Sequence, residues 1–160
     1  MTEKEYNTSV DLHAKALFRF IFKNLNVRED AENIVQDSFE SLWLNKDKVE
    51  FSKSKSWLFT TGYRKMIDGI RKNKKIVEMP DVIKDKGNST AQPDLKSIVN
   101  SALEKLPEIQ KTVIMLRDYE GYDYAEIGKI TNLNESQVKV YIFRARQTLK
   151  NYLVNLENII

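Results

Sequence analysis

Cysteine is missing from the 160-residue chain, and His13 is its single histidine. Neither a disulfide framework nor a thiolate metal site can form, and one imidazole cannot assemble a histidine-based centre. No metal and no cofactor are therefore expected. Glycine and proline are scarce, at 5 and 3 residues. The glycines do not make a phosphate-cradling loop, and no serine-nucleophile motif occurs. Catalysis is disfavoured, and the chain is expected not to be an enzyme. No apolar run approaches the length that crosses a bilayer, and no secretory leader is read at its start. The expected setting is cytoplasmic, without membrane insertion.

Acid is missing from one further place. Between Gln137 and Lys150 stand Lys139, Arg144, Arg146 and Lys150, with no aspartate or glutamate among them. The net charge of +3 hides a strong unevenness. Residues 1–51 hold 7 basic and 10 acidic side chains. Residues 52–75 hold 8 basic side chains and only Asp68. Residues 76–97 are net −1, and residues 98–160 balance at 8 and 8. Two basic surfaces in separate places suit one extended anionic partner touched twice. Two solvated helix faces would give the same charge count.

What is present is helical periodicity. Leu12, Ala16 and Phe20, with Leu17 and Ile21 beside them, predict a helix over about 9–25. Ile34, Val35, Phe39, Leu42 and Trp43 predict a second, with Glu29, Asp30 and Glu32 at its start, where acids are favoured. A third runs from near Ser56 to about Lys74. "EMPDVIKDKGNSTAQPD" then gathers two of the three prolines, a glycine and small polar residues, which marks a linker. Beyond it, Ile98–Leu106 and Ile109–Tyr119 predict helices, with Pro107 in the first turn of the latter. No window alternates as a strand does. The expected fold is all-α: two small helical domains, 1–75 and 98–160, joined by a flexible linker, 76–97.

Near the C-terminus, Ile127, Ile130 and Leu133 give a short helix its buried side. Gly128 lies among them, where a second helix could cross closely. Asn132 suits the turn, since asparagine tolerates left-handed backbone. Asn134 with Gln137 forms a capping-box pattern. A long helix follows, burying Val138, Ile142, Ala145 and Leu149 and turning Ser136, Gln137, Lys139, Val140, Phe143, Arg144 and Gln147 outward. This is helix-turn-helix spacing, whose second helix can lie in a DNA major groove. An ordinary helical hairpin with a charged surface has the same spacing.

The wider context carries a resemblance. "AL..LP..Q" at Ala102–Gln110, "EG" at Glu120 and Gly121, "YAEI" at Tyr124–Ile127, "VK" at Val138 and Lys139 and "RAR" at Arg144–Arg146 resemble the fourth-region domain of extracytoplasmic-function (ECF) sigma factors. "REDAENIVQDSFESLW" and "WLFTTGYRKMIDGIRK" are similar to two helices of that family's second-region domain. The resemblance covers nearly the whole chain, in the family's order. It implies a sigma-70-type factor that binds core RNA polymerase, through its β′ and β subunits, and directs initiation at promoter DNA. The second region would read and melt the −10 element, and the fourth would read the −35 element. An anti-sigma factor is a further implied partner. The alternative, a stand-alone helix-turn-helix regulator, accounts for Tyr124–Leu153 but not for the front half.

The resemblance also implies site residues. Asp30, Glu32, Gln36, Asp37 and Phe39 fall at the polymerase-binding helix, where Asn33 replaces a usual carboxylate. Lys53, Lys55, Trp57, Tyr63, Arg64, Arg71 and Lys72 fall at the downstream promoter element. Ser136, Gln137, Lys139, Val140, Tyr141, Phe143 and Arg144 fall on the recognition helix. There Val140, Tyr141 and Phe143 replace residues the family more often has, and Val140 and Phe143 suit thymine methyl groups unless one packs inward.

Overall fold

The structure, a computed structural model, describes residues 1–76 and 94–159, and every regular element within them is helical. The first helix, α1 (Glu3–Leu25), starts earlier than its apolar stripe predicts. A capping box explains this: the Thr2 hydroxyl accepts from the Glu5 N–H at 3.1 Å, and the Glu5 carboxylate accepts from the Thr2 N–H at 2.9 Å. Asn26 ends the helix in the left-handed conformation, at φ 60°, and its N–H reaches the Phe22 carbonyl. The chain thus reverses at once into α2 (Arg28–Leu44). Two short 3₁₀ turns, Lys46–Lys48 and Phe51–Lys53, lead into α3 (Ser54–Ile76).

These three helices enclose Leu17, Phe20 and Ile21 of α1, Ala31 and Leu42 of α2, and Leu58, Phe59 and Met66 of α3. Apart from Ala31, each such side chain, once buried, contributes roughly 1.5–3 kcal/mol. Leu12 departs from the expected stripe, being 61% exposed. The buried face of α1 runs through Ser9, Leu17, Phe20 and Ile21, and Leu12 lies about 100° round the helix from its centre. Ser9 is tolerated inside because its hydroxyl donates to Ser54 at 3.1 Å, and Ser54 donates to the Phe51 carbonyl at 2.8 Å.

The second half opens with α4 (Leu95–Glu104), capped by Asp94, whose carboxylate accepts from the Ser97 N–H at 2.8 Å. Of the expected linker 76–97, residues 77–93 lie outside the described residues, while 94–97 already belong to this cap and first turn. Pro107 is the N-cap of α5 (Glu108–Ile114) rather than a residue of its first turn. Then α5 passes into a π-helical segment, Met115–Tyr119. Next come α6 (Tyr124–Thr131), with an Asp123–Glu126 capping box, and α7 (Glu135–Ile159). Val113, Met115, Leu116, Ile127, Ile130, Val138, Ile142 and Ala145 form the buried centre of this half. The two halves touch: α3 packs on α6 and α1 on α5, and their buried residues join into one apolar cluster.

Candidate nucleic-acid interface

The turn between α6 and α7 sets the geometry of the C-terminal surface. Asn132 takes the left-handed conformation at φ 61°, as its short polar side chain allows. The Leu133 N–H then donates to the Gly128 carbonyl at 3.0 Å. A Cβ on Gly128 would come within 2.6 Å of the Leu133 carbonyl oxygen. The close approach that requires glycine is therefore made by the turn backbone, not by the crossing helix, whose Val138 lies farther off at 3.9 Å. Asn134 and Gln137 cap α7 reciprocally, at 2.8 and 3.0 Å.

Burial along α7 separates two faces. Val138, Ile142 and Ala145 are buried, and Leu149 is half-buried. Ser136, Gln137, Lys139, Val140, Phe143 and Arg144 are exposed, and Tyr141 is half-buried. Val140 and Phe143 both stay outside, at 45% and 65% exposure, so neither packs inward. Lys139 leans between Glu135, 3.6 Å away, and the Tyr124 ring, at 5.6 Å from its centroid. The Arg117 guanidinium lies 4.9 Å from the same centroid and donates to the Tyr122 carbonyl at 3.0 Å. Arg146 is tied to Asp118 at 2.8 Å. Arg144 makes no ion pair with any described residue. An open groove of about 450 Å³ runs between Tyr124 and the Val140–Phe143 edge.

On α3 and the 3₁₀ turn before it, the basic residues are less uniform than their sequence suggests. Arg64, Arg71 and Lys72 are exposed and unpaired among the described residues. Lys53 is exposed, with Glu50 at 3.9 Å. Trp57 and Tyr63 are half-buried against the core, and burial together with nearby Glu108 pushes the Tyr63 phenol up. Phe59 is wholly core. Lys55 is half-buried and faces Glu120, from the other half of the chain, at 3.6 Å. Arg19 of α1 reaches the same carboxylate at 3.0 Å. This three-residue cluster is invisible in the sequence, because Arg19 and Glu120 are 101 positions apart.

On α2 the predicted residues also divide. Asp30, Glu32, Gln36 and Asp37 are exposed, whereas Phe39 is 8% exposed and faces the core. Glu32 accepts from Arg28 one turn earlier, at 3.0 Å. Among the described residues no group of acidic, histidine or cysteine side chains could hold a metal, and no helix is long and apolar enough to cross a membrane.

The geometry has counterparts in known proteins. Residues 10–76 match the family model for sigma-70 region 2, and residues 97–149 match that for sigma-70 region 4. RNA polymerase sigma factor SigV of Bacillus subtilis is 32% identical over 149 residues, covering 89% of this chain and 87% of the relative. ECF RNA polymerase sigma factor SigM of the same organism is 28% identical over 145 residues, covering 87% and 89%. Among solved structures, the sigma factor RpoE of Bartonella quintana, in complex with the anti-sigma factor NepR, aligns with a TM-score of 0.74 at 25% identity, over 94% of this chain and 97% of that one. CnrH, in complex with the cytosolic domain of CnrY, shares the fold with a TM-score of 0.69 at 23% identity, over 96% and 90%. With both family models matched in order and a relative 32% identical over 89% of this chain, this protein belongs to the extracytoplasmic-function sigma factors of the sigma-70 family.

Proposed function

We propose that the two halves divide the work of promoter-specific initiation between named surfaces. The chain is an RNA polymerase-binding initiation factor. In our assignment, residues 1–75 bind core polymerase and the −10 element, residues 98–160 read the −35 element, and residues 76–97 join them. The acidic outer face of α2, with Asp30, Glu32, Gln36 and Asp37, docks on a basic surface of the polymerase. Phe39 acts beneath that face, holding α2 on the core. Lys53, Lys55, Arg64, Arg71 and Lys72 contact the strand backbone at the −10 element, and the edges of Trp57 and Tyr63 offer stacking surfaces. Ser136, Gln137, Lys139, Val140, Tyr141, Phe143 and Arg144 face the −35 major groove.

The observation that best supports this reading is the exposed face of α7, which carries cations, polar groups and two bare apolar side chains but no acid from Gln137 to Lys150. Phosphate contact and contact with thymine methyl groups need those residue types together. The protein works by binding, not by catalysis, in the cytoplasm. An anti-sigma factor, such as the one bound to the Bartonella quintana relative, would compete for the same surfaces.

The test is a pull-down with core RNA polymerase. Asp30→Lys combined with Glu32→Lys should lower polymerase binding while the far-ultraviolet circular dichroism stays that of the parent. Undiminished binding by the folded double variant would refute the α2 assignment.

A further inference from the structure

The connection between α2 and α3 carries Lys53 and has only two short 3₁₀ turns of its own, yet it is tied down along its length. Val49 is 8% exposed and plugs it into the core. At its front the Tyr6 ring meets Trp43 edge-on, and Lys46 lies over the Trp43 ring, 4.4 Å from its centroid. The Met1 nitrogen donates to the Lys46 and Val49 carbonyls, at 2.6 and 3.1 Å. At its rear stand two wholly buried hydroxyls, Ser9 of α1 and Ser54 of α3. Ser9 donates to Ser54 at 3.1 Å, and Ser54 donates to the Phe51 carbonyl at 2.8 Å. With the front held by Met1, Tyr6 and Val49, the rear depends on this relay.

The hydroxyl pair adds direction more than stability. Alanine at both positions would fill nearly the same space and leave no side-chain donor to satisfy, a change that is close to neutral for folding. A hydrogen bond, unlike contact between methyl groups, fixes the groups it joins in distance and angle. Here it fixes the Phe51 carbonyl and the first residue of α3 against α1. Lys53 precedes Ser54 in the chain and Lys55 follows it. Lys53 is exposed and Lys55 half-buried, while Ser54 between them is buried. The height and rotation of both cations are therefore set by where Ser54 is held.

We propose that Ser9, acting through Ser54, is a positioning residue for strand recognition at the −10 element. The proposal rests on the reading of Lys53 and Lys55 as strand contacts, and adds a residue of α1 that lies behind them and touches no DNA. A binding surface selects one strand sequence only when the groups that meet it are held in place before it arrives. A connection whose rear is free to shift still offers its charge. Binding to DNA of any sequence then persists, while the choice among sequences falls. Ser9 thus acts on which promoter is chosen rather than on whether the chain folds or carries charge.

The full chain, reconstituted with core RNA polymerase, tests this on a pool of promoter fragments randomised at both elements. Base preference is read from the fragments enriched in open complexes, and folding from the urea midpoint of the free chain. Ser9→Ala leaves the Ser54 hydroxyl still donating to Phe51, so its midpoint should stay near the parent's. Its preference at the −10 element should fall about fivefold, as one hydrogen bond is worth, with preference at the −35 element unchanged. Ser54→Ala leaves the Ser9 hydroxyl unpaired in the core and should lower the midpoint. Ser9→Ala combined with Ser54→Ala should regain the midpoint but not the preference. Parental −10 preference in Ser9→Ala and in the double variant overturns the proposal. So does preference that follows the midpoint through all three variants, which is the mark of packing alone. Should Ser54→Ala fail to fold, Ser9→Ala by itself decides the matter. Lys53→Ala combined with Arg64→Ala checks the underlying reading. If that variant keeps both the parental −10 preference and the parental strand opening, the strand contact lies elsewhere, and the reading falls together with the role of Ser9.

Discussion

Gly128 and the carbonyl of Leu133 are in such close approach that a methyl group on the glycine would sit 2.6 Å from the carbonyl oxygen. The obstacle is backbone, fixed by the Leu133 N–H bond to Gly128 and by left-handed Asn132, so it cannot swing aside as a side chain would. Gly128→Ala should destabilise the protein by about 1–3 kcal/mol, as overpacking does. It should also weaken binding to duplex promoter DNA by tilting α7 on α6. Thermal unfolding and duplex titration check both effects, and an unchanged melting temperature would contradict the geometry.

The Tyr6 hydroxyl donates to the Phe39 carbonyl at 2.9 Å, and its ring meets Trp43 edge-on at 5.0 Å. This joins the start of α1 to the end of α2. Tyr6→Phe keeps the ring contact and removes the bond, so a loss of about 1 kcal/mol is expected. Urea unfolding of the two proteins measures it as a lower midpoint at equal slope.

Lys139 and Arg144 differ in the partners they hold in the free chain but are expected to affect the salt slope alike. Arg144 has no described ion-pair partner, whereas Lys139 is shared between Glu135 and the Tyr124 ring. Each mutation to alanine should reduce the salt slope of duplex binding by about 0.9, one phosphate contact apiece. Glu135→Gln should release Lys139 and tighten binding at low salt. A salt slope unmoved by Arg144→Ala would remove that residue from the DNA surface.

Burial, with the Lys55 charge nearby, holds the His13 imidazole below its ordinary pKa. The unfolded chain then takes up the proton first. The stability tied to neutral His13 is present above the ordinary histidine pKa and is lost as the pH falls from there through the lower folded value. Between about pH 7.5 and about pH 5.5 the protein should lose stability, and His13→Asn should flatten that part of the loss. Urea midpoints at the two pH values decide it, and equal pH dependence in both proteins would count against the histidine.

The helices were legible in the sequence where apolar spacing and caps agreed. The two faces of α7 follow from the positions of Val138, Ile142 and Ala145, and burial separates them as the spacing predicts. The start of α1 was not legible from apolar spacing, because its first turns are polar and the Thr2–Glu5 box begins them. Leu12 misled for a related reason: a stripe counted in threes and fours drifts to the edge of a face that Ser9 shares. The Arg19–Glu120–Lys55 cluster could not be read at all. Its members are brought together only by the packing of one half on the other, and nothing local to any of them announces it.

The cap of α7 has a chemical consequence for base reading. The Asn134 side chain accepts from the Gln137 N–H, and the Gln137 carboxamide oxygen accepts in return from the Asn134 N–H. That oxygen is held against the helix start, which leaves the carboxamide NH₂ as the group available to the groove. A glutamine recognises adenine by offering one donor and one acceptor at once, to N7 and N6. The cap takes one lone pair of the Gln137 oxygen and leaves a second, whose direction is set by the helix start rather than by the groove. On the proposed reading, capped Gln137 can donate to a phosphate oxygen, guanine N7 or O6, adenine N7 or thymine O4, and gripping adenine with donor and acceptor together requires the carboxamide to turn from the Asn134 N–H. The bond that starts the helix thus opposes the paired adenine contact at this position.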